Sequence, residues 1–126
     1  MPHPDGRRIV IISGGDGYII DPEVPGRAER VAVGIMELMH TRDLLLLVSL
    51  TKIQAIAAEG LRWSTRRIAW DEMRNLRIDE DRQLLSGEAW KNGIMSISQP
   101  DRWLPFEVDL RSGAVTGGSY DGPDAR

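Results

Sequence analysis

Between Trp103 and Gly118 the chain reads WLPFEVDLRSGAVTGG, and Leu104, Phe106, Val108 and Leu110 alternate there with Pro105, Glu107 and Asp109. A period of two sends alternate side chains to opposite faces of a strand, so this stretch predicts a strand with one dry and one wet side. RSG at 111–113 then reads as a type I turn followed by Gly113 in a left-handed conformation, returning the chain along residues 114–118.

LLLLVSLTKIQAIAAEG, residues 44–60, is apolar on both sides until Lys52. A strand covered on both faces reads this way, which places 44–50 near the centre of a sheet. AEGL then predicts a two-residue hairpin into Leu61 and Trp63. In RAERVAVGIMELMH, residues 27–40, Val31, Val33, Ile35 and Glu37 alternate as in a strand. Ala28, Val31, Ala32, Ile35, Leu38 and Met39 also fit a helical stripe. Gly34 weakens either reading, costing a helix interior about 1 kcal/mol relative to Ala, and the strand is the favoured reading of the two.

Turn signals punctuate the rest at short intervals: GGDG (14–17), DPEVPG (21–26), HTRD (40–43), DEDR (79–82), KNG (91–93) and QPDR (99–102). Short apolar runs between such signals predict an all-β fold, an antiparallel sandwich or partly closed barrel of about nine or ten strands built from consecutive hairpins. At 126 residues one domain is expected, a β-rich body over 1–120 with 121–126 as a frayed tail.

RIVIISGGDGYII, residues 8–20, raises the question of a phosphate-binding loop. Such a loop aims backbone N–H groups at the anion from a helix N-terminus, with Lys or Ser/Thr nearby. Nothing after Gly17 opens a helix, and Asp16 would repel a phosphate. The stretch predicts a tight hairpin joining Ile9–Ile12 to Tyr18–Ile20, with Asp16 and Gly17 supplying the positive φ angles.

Charge and composition narrow the function classes. Sixteen basic and nineteen acidic residues give a net charge of −3, which on average repels a phosphate backbone. From Arg62 to Arg82 six arginines interleave with five carboxylates, the pattern of a solvated face; no nucleic-acid partner is expected. The absence of cysteine excludes a disulfide framework and a thiolate zinc site, and suits a reducing, cytoplasmic setting. LLLLV is far short of the roughly 20 apolar residues of a membrane helix, so no membrane partner is expected either.

Candidate chemistry is sparse. His3 and His40 are too few for a histidine metal centre, and Asp79, Glu80 and Asp81 lack the alternating spacing of a calcium loop. LLSGEAW does not match a nucleophile elbow. No cofactor, metal or catalytic residue is therefore expected, and the protein reads as a non-enzyme.

The tryptophans are more pointed. Trp63 and Trp70 share parity with Leu61 and Ile68, which makes them core candidates. Trp90 and Trp103 sit beside turns, next to Lys91 and Arg102. A tryptophan edge with adjacent cations is what a protein hot spot presents, and also what stacks a sugar ring. Trp90, Trp103, Arg102 and Lys91 are the expected binding residues.

EGLRWSTRRIAWDEMRNLRIDEDRQLLSGEAW followed by DRWLPFEVDLRSGAVTGGSY resembles a widespread group of small bacterial proteins of unknown function. Gly60, Leu61, Trp63, Ser64, Arg67, Ile68, Trp70 and Asp71 match its first block. Gly87, Ala89 and Trp90 match the second, and Trp103, Pro105, Phe106, Val108, Asp109, Leu110 and Gly113 the third. The resemblance spans about residues 44–120 and implies a β-rich fold without a known activity. GLRWSTRRIAWDEMRNLRI is also similar in rhythm to bacterial pleckstrin-homology-like barrels, but those close with a C-terminal helix that the Gly-rich tail here cannot supply.

The function expected from the sequence is a non-catalytic protein-binding or accessory module, for example a neutraliser of a partner enzyme, acting through the Trp90 and Trp103 edge. The alternatives are small-molecule or carbohydrate recognition with weak hydrolysis, and a homodimer formed through an edge strand.

Overall fold

The computed structural model describes residues 1–24, 26, 28–32, 34–91 and 102–122. The regular structure among them is β1 (Ile9–Ser13), β2 (Asp16–Ile20), β3 (Ala28–Ala32), β4 (Ile35–His40), β5 (Leu45–Ser49), β6 (Ile53–Ala57), β7 (Gly60–Ser64), β8 (Met73–Asp79), β9 (Leu84–Lys91), β10 (Arg102–Asp109) and β11 (Val115–Gly117). These strands form three antiparallel sheets, ordered β1-β2-β3, β4-β5-β6-β7 and β11-β10-β9-β8. The described residues contain no helix, and no sheet closes on itself. The fold is all-β and of sandwich type, as expected, and the helix that closes a pleckstrin-homology-like barrel is absent among the described residues. The turn signals over 92–101 and the last four residues, 123–126, lie outside the described residues.

Packing divides the chain into two compact units, Met1–Ser49 with Ile53–Ser64, and Leu50–Lys52 with Thr65–Arg126. The sequence reading treats 1–120 as one body; each unit has its own set of buried side chains.

The first unit holds two sheets around one core. Val10 and Ile19, from β1 and β2, join Ile35, Leu45, Leu47 and Ile56 from the second sheet in a single apolar cluster. β5 lies between β4 and β6, and all of Leu44–Val48 is buried, so the run expected at the centre of the sheet over 44–50 does occupy an interior position except at its end, where Leu50 is exposed. Burying each such leucine is worth about 1.5–3 kcal/mol. Among the described residues of 27–40 there is strand and no helix, but it is two strands in two sheets: β3 ends the first sheet and β4 begins the second, with Gly34 at φ +65° between them.

The β1–β2 hairpin corrects the expected turn. Ser13 pairs with Asp16, so Gly14 and Gly15 form the two-residue loop, at φ +61° and +84°, while Asp16 and Gly17 belong to β2. This register sets Ile9 opposite Ile20, Val10 opposite Ile19 and Ile11 opposite Tyr18. A loop at Asp16–Gly17 would instead set Ile12 and Ile11 against Asp21 and Pro22, which wastes the apolar pairs that stabilise a hairpin.

In the second unit Leu85, Ala89, Phe106 and Val108 are buried, as are Ile68, Ala69 and Leu110. The alternation from Leu104 to Leu110 behaves as its period predicts. The RSG turn does too: the Gly113 N–H donates to Asp109 O at 2.7 Å, the Asp109 N–H to Ala114 O at 2.9 Å, and Gly113 has φ +77°. Phe106 lies opposite Gly87, where an added Cβ would come within 2.9 Å of the Phe106 ring and 2.7 Å of Leu76 Cδ2. Glycine there lets the ring lie over the backbone.

Candidate functional site

In an antiparallel pair, rungs alternate between residues that exchange backbone hydrogen bonds and residues that do not, and side chains approach more closely at the second kind. Trp90 sits opposite Trp103, and the Trp90 N–H donates away from β10, to Glu72 O at 2.9 Å. The tryptophan rung is therefore of the close kind. The ring centroids are 5.0 Å apart with planes at 58°, a tilted aromatic pair. Both residues are half-buried.

Register and parity define what surrounds them. Glu88 faces Pro105 on β10 and Arg74 on β8, and Ser86 faces Glu107 and Arg77. All of these share the face of the sheet opposite to Leu85, Ala89, Phe106 and Val108. The Arg74 guanidinium lies over Trp103, 4.0 Å from the ring centroid, and its Nε is 3.2 Å from Glu88 Oε1. Glu88 Oε1 also accepts the Asn75 amide at 2.6 Å. That amide first, and Arg74 after it, hold the Glu88 carboxyl below the usual range. Asn75 has φ +55° and lies where the β8–β9 register slips between Arg74 and Arg77. The bulge swings the amide onto Glu88. Farther along the same face an open groove is lined by Arg77, Asp79, Arg82, Leu84, Ser86 and Glu107.

Lys91 and Arg102 sit one rung beyond the tryptophans and oppose each other. Successive residues of a strand point to opposite faces, so these two cations project from the other side of the sheet. Lys91 Nζ is 3.3 Å from Asp121 Oδ2, and this hydrogen bond holds the Asp121 carboxyl low. Of the four expected binding residues the sheet brings Trp90 and Trp103 together, and Lys91 and Arg102 into a separate pair. Sequence reasoning missed Arg74, the cation that touches Trp103.

Of the two core candidates, Trp63 is buried at 8% exposure. Trp70 is half-buried in an aromatic corner, 4.6 Å from Tyr120 between ring centroids, with the Arg67 guanidinium 4.6 Å from the Tyr120 centroid and 5.2 Å from its own. The segment following Gly118 is held here: the Ser119 and Tyr120 N–H groups both donate to Ile68 O, at 2.9 and 3.1 Å, and Ser119 Oγ donates to Trp90 O at 2.5 Å. Asp121, expected within the frayed tail, is the partner of Lys91.

Among the described residues no group of three or more His, Asp or Glu side chains is placed to hold a metal ion, and no helix is long and apolar enough to cross a membrane. No protein-family model matches the chain, and neither a curated protein nor a solved structure matches it.

Proposed function

We propose that the protein is a non-catalytic recognition module that binds another protein through the solvent-facing side of the β8-β9-β10 sheet, in a cytoplasmic setting that the cysteine-free composition suits. The observation that carries this reading is the Trp90–Trp103 pair with Arg74 stacked on it. Tryptophan and arginine are the residues most enriched in interface hot spots, and a half-buried pair is already ordered, so little side-chain entropy is lost on docking. Glu88 and Asn75 fix Arg74 in turn, and the groove lined by Arg77, Asp79 and Glu107 offers a charged rim.

The test is affinity capture with wild type, Trp103→Ala and Arg74→Met baits in parallel, followed by calorimetry with the recovered partner. Loss of a hot-spot side chain weakens binding by about 2 kcal/mol, or roughly thirtyfold in Kd. Variants that keep their thermal transition and bind normally would remove this face as the interface. Arg74 occupies one side of the Trp103 ring, so a sugar stacking there has to displace it. Titration of the tryptophan fluorescence with a glycan panel separates the two readings, since a saturable response would favour the carbohydrate one.

A further inference from the structure

β1 is the outermost strand of its sheet, so one row of its backbone groups faces away from β2. The first three residues cover its N-terminal part, as far as Val10. The Val10 N–H donates to Met1 O at 2.7 Å, the Met1 amino group to Val10 O at 2.9 Å, and the His3 N–H to Arg8 O at 2.9 Å, with Pro2 bridging Ile9 in the antiparallel sense. β1 also carries Ile9, Ile11 and Ile12 exposed. An apolar strand with an open edge is a template for further pairing, so the cover has a purpose.

The fold-back is held by a turn over residues 3–8. The Gly6 N–H donates to His3 O at 3.0 Å; Asp5 Oδ1 accepts the N–H groups of Arg7 and Arg8, each at 2.9 Å, and Asp5 Oδ2 accepts Arg8 Nε at 2.6 Å. The other end of the Arg8 guanidinium reaches Ala58 O at 3.3 Å. At the centre lies the His3 ring, its side chain 0% exposed. His3 Nδ1 accepts the Asp5 N–H at 3.0 Å. A ring nitrogen that accepts an N–H carries no proton, so the neutral ring bears its hydrogen on Nε2, which is buried with no acceptor among the described residues.

This arrangement favours neutral imidazole over imidazolium. A proton on Nδ1 would point at the Asp5 N–H. The alternative acceptor, Asp5 Oδ1 at 3.2 Å, already takes two backbone donors. Arg8 adds a neighbouring positive charge, and His40, Arg42 and Asp43 line the same hollow from the end of β4 and the turn after it. Burial lowers the His3 pKa from 6.5, and Asp5 offsets this only in part. The folded ring thus binds a proton more weakly than a free one. The closed form keeps its full advantage above pH 6.5 and loses it as the pH falls from there through the lowered folded value.

We propose that residues 1–8 form a proton-released strap, in which buried His3 latches the first three residues over the edge of β1 and protonation of His3 frees them and uncovers that edge.

Amide hydrogen exchange by NMR on the full chain, corrected for intrinsic rates, tests the strap from about pH 7.5 to about pH 5. Protection of the His3 and Val10 amides should be lost as the pH drops below 6.5, while the β5 amides keep theirs. In His3→Asn, whose side-chain oxygen replaces Nδ1 as acceptor but does not titrate, protection at Val10 should be independent of pH. Unchanged protection in the wild type, or the same loss in His3→Asn, overturns the proposal. Should that variant not fold, the ring spectrum of the wild type decides: a proton on Nε2 and titration below 6.5 support the latch, and a proton on Nδ1, or titration at or above 6.5, rejects it.

Discussion

Trp90 and Trp103 meet across β9 and β10 at a rung whose backbone groups do not bond one another, and the ring centroids close to 5.0 Å. The contact comes from backbone geometry: the Trp90 N–H is committed to Glu72 on the far side. A double-mutant cycle with Trp90→Leu and Trp103→Leu, read by urea denaturation, should give a coupling of about 0.5–1.5 kcal/mol, the usual worth of an aromatic pair beyond its buried area. A coupling near zero would mean that the rings merely share a face.

Asn75 is the first cause of the low Glu88 pKa, and Asn75 sits at φ +55°. Asn75→Gly removes the amide while keeping the backbone comfortable. The Glu88 pKa, followed by carboxyl-carbon NMR, should rise toward 4.5 in this variant. A carboxylate held low stabilises the folded state above its unfolded pKa and loses that contribution as the pH falls through the folded one. The wild type should therefore show a fall in stability below about pH 4.5 that is shallower in Asn75→Gly.

Gly87 has no room for a methyl group, with Leu76 Cδ2 and the Phe106 ring within 2.9 Å of the position it would take. Gly87→Ala should destabilise by about 1–3 kcal/mol, as overpacking does. Adding Phe106→Leu should recover part of the clash, so the pair will be non-additive in chemical denaturation.

Leu47 is buried at 1% exposure in the cluster that joins the two sheets of the first unit. Leu47→Ala should cost about 2–5 kcal/mol. Leu61→Ala, at an apolar residue left 53% exposed, should change the thermal midpoint little. Similar losses at both positions would mean that β7 is covered in solution.

Parity made much of this fold legible. The alternation of Leu104, Phe106 and Val108, the run over 44–48 that is apolar on both faces, and the turn at Gly113 each follow from a local rule that packing did not override. The candidate site was legible only in part. Nearness in sequence groups Lys91 and Arg102 with Trp90 and Trp103, yet neighbours in a strand lie on opposite faces. Arg74 was invisible for a different reason: its place beside Trp103 depends on the β8–β9 register, which a bulge at Asn75 shifts. Neither the bulge nor the pairing has a sequence signal of its own. The turn at Gly14–Gly15 could have been found by asking which loop pairs isoleucine with isoleucine.

Pro105 stands inside β10, between two pairing strands, where an imino acid usually breaks the ladder. Its carbonyl accepts the Gly118 N–H at 3.0 Å, so its missing hydrogen is on the β11 side, just past the last β11 residue, Gly117. β11 ends at Gly117 and Gly118 stands at φ +96°, so regular pairing stops at the rung where proline has no hydrogen to donate. The length of the last strand is thus matched from across the ladder: opposite the pyrrolidine ring the chain leaves β10, and the N–H groups of its next two residues go to Ile68 O.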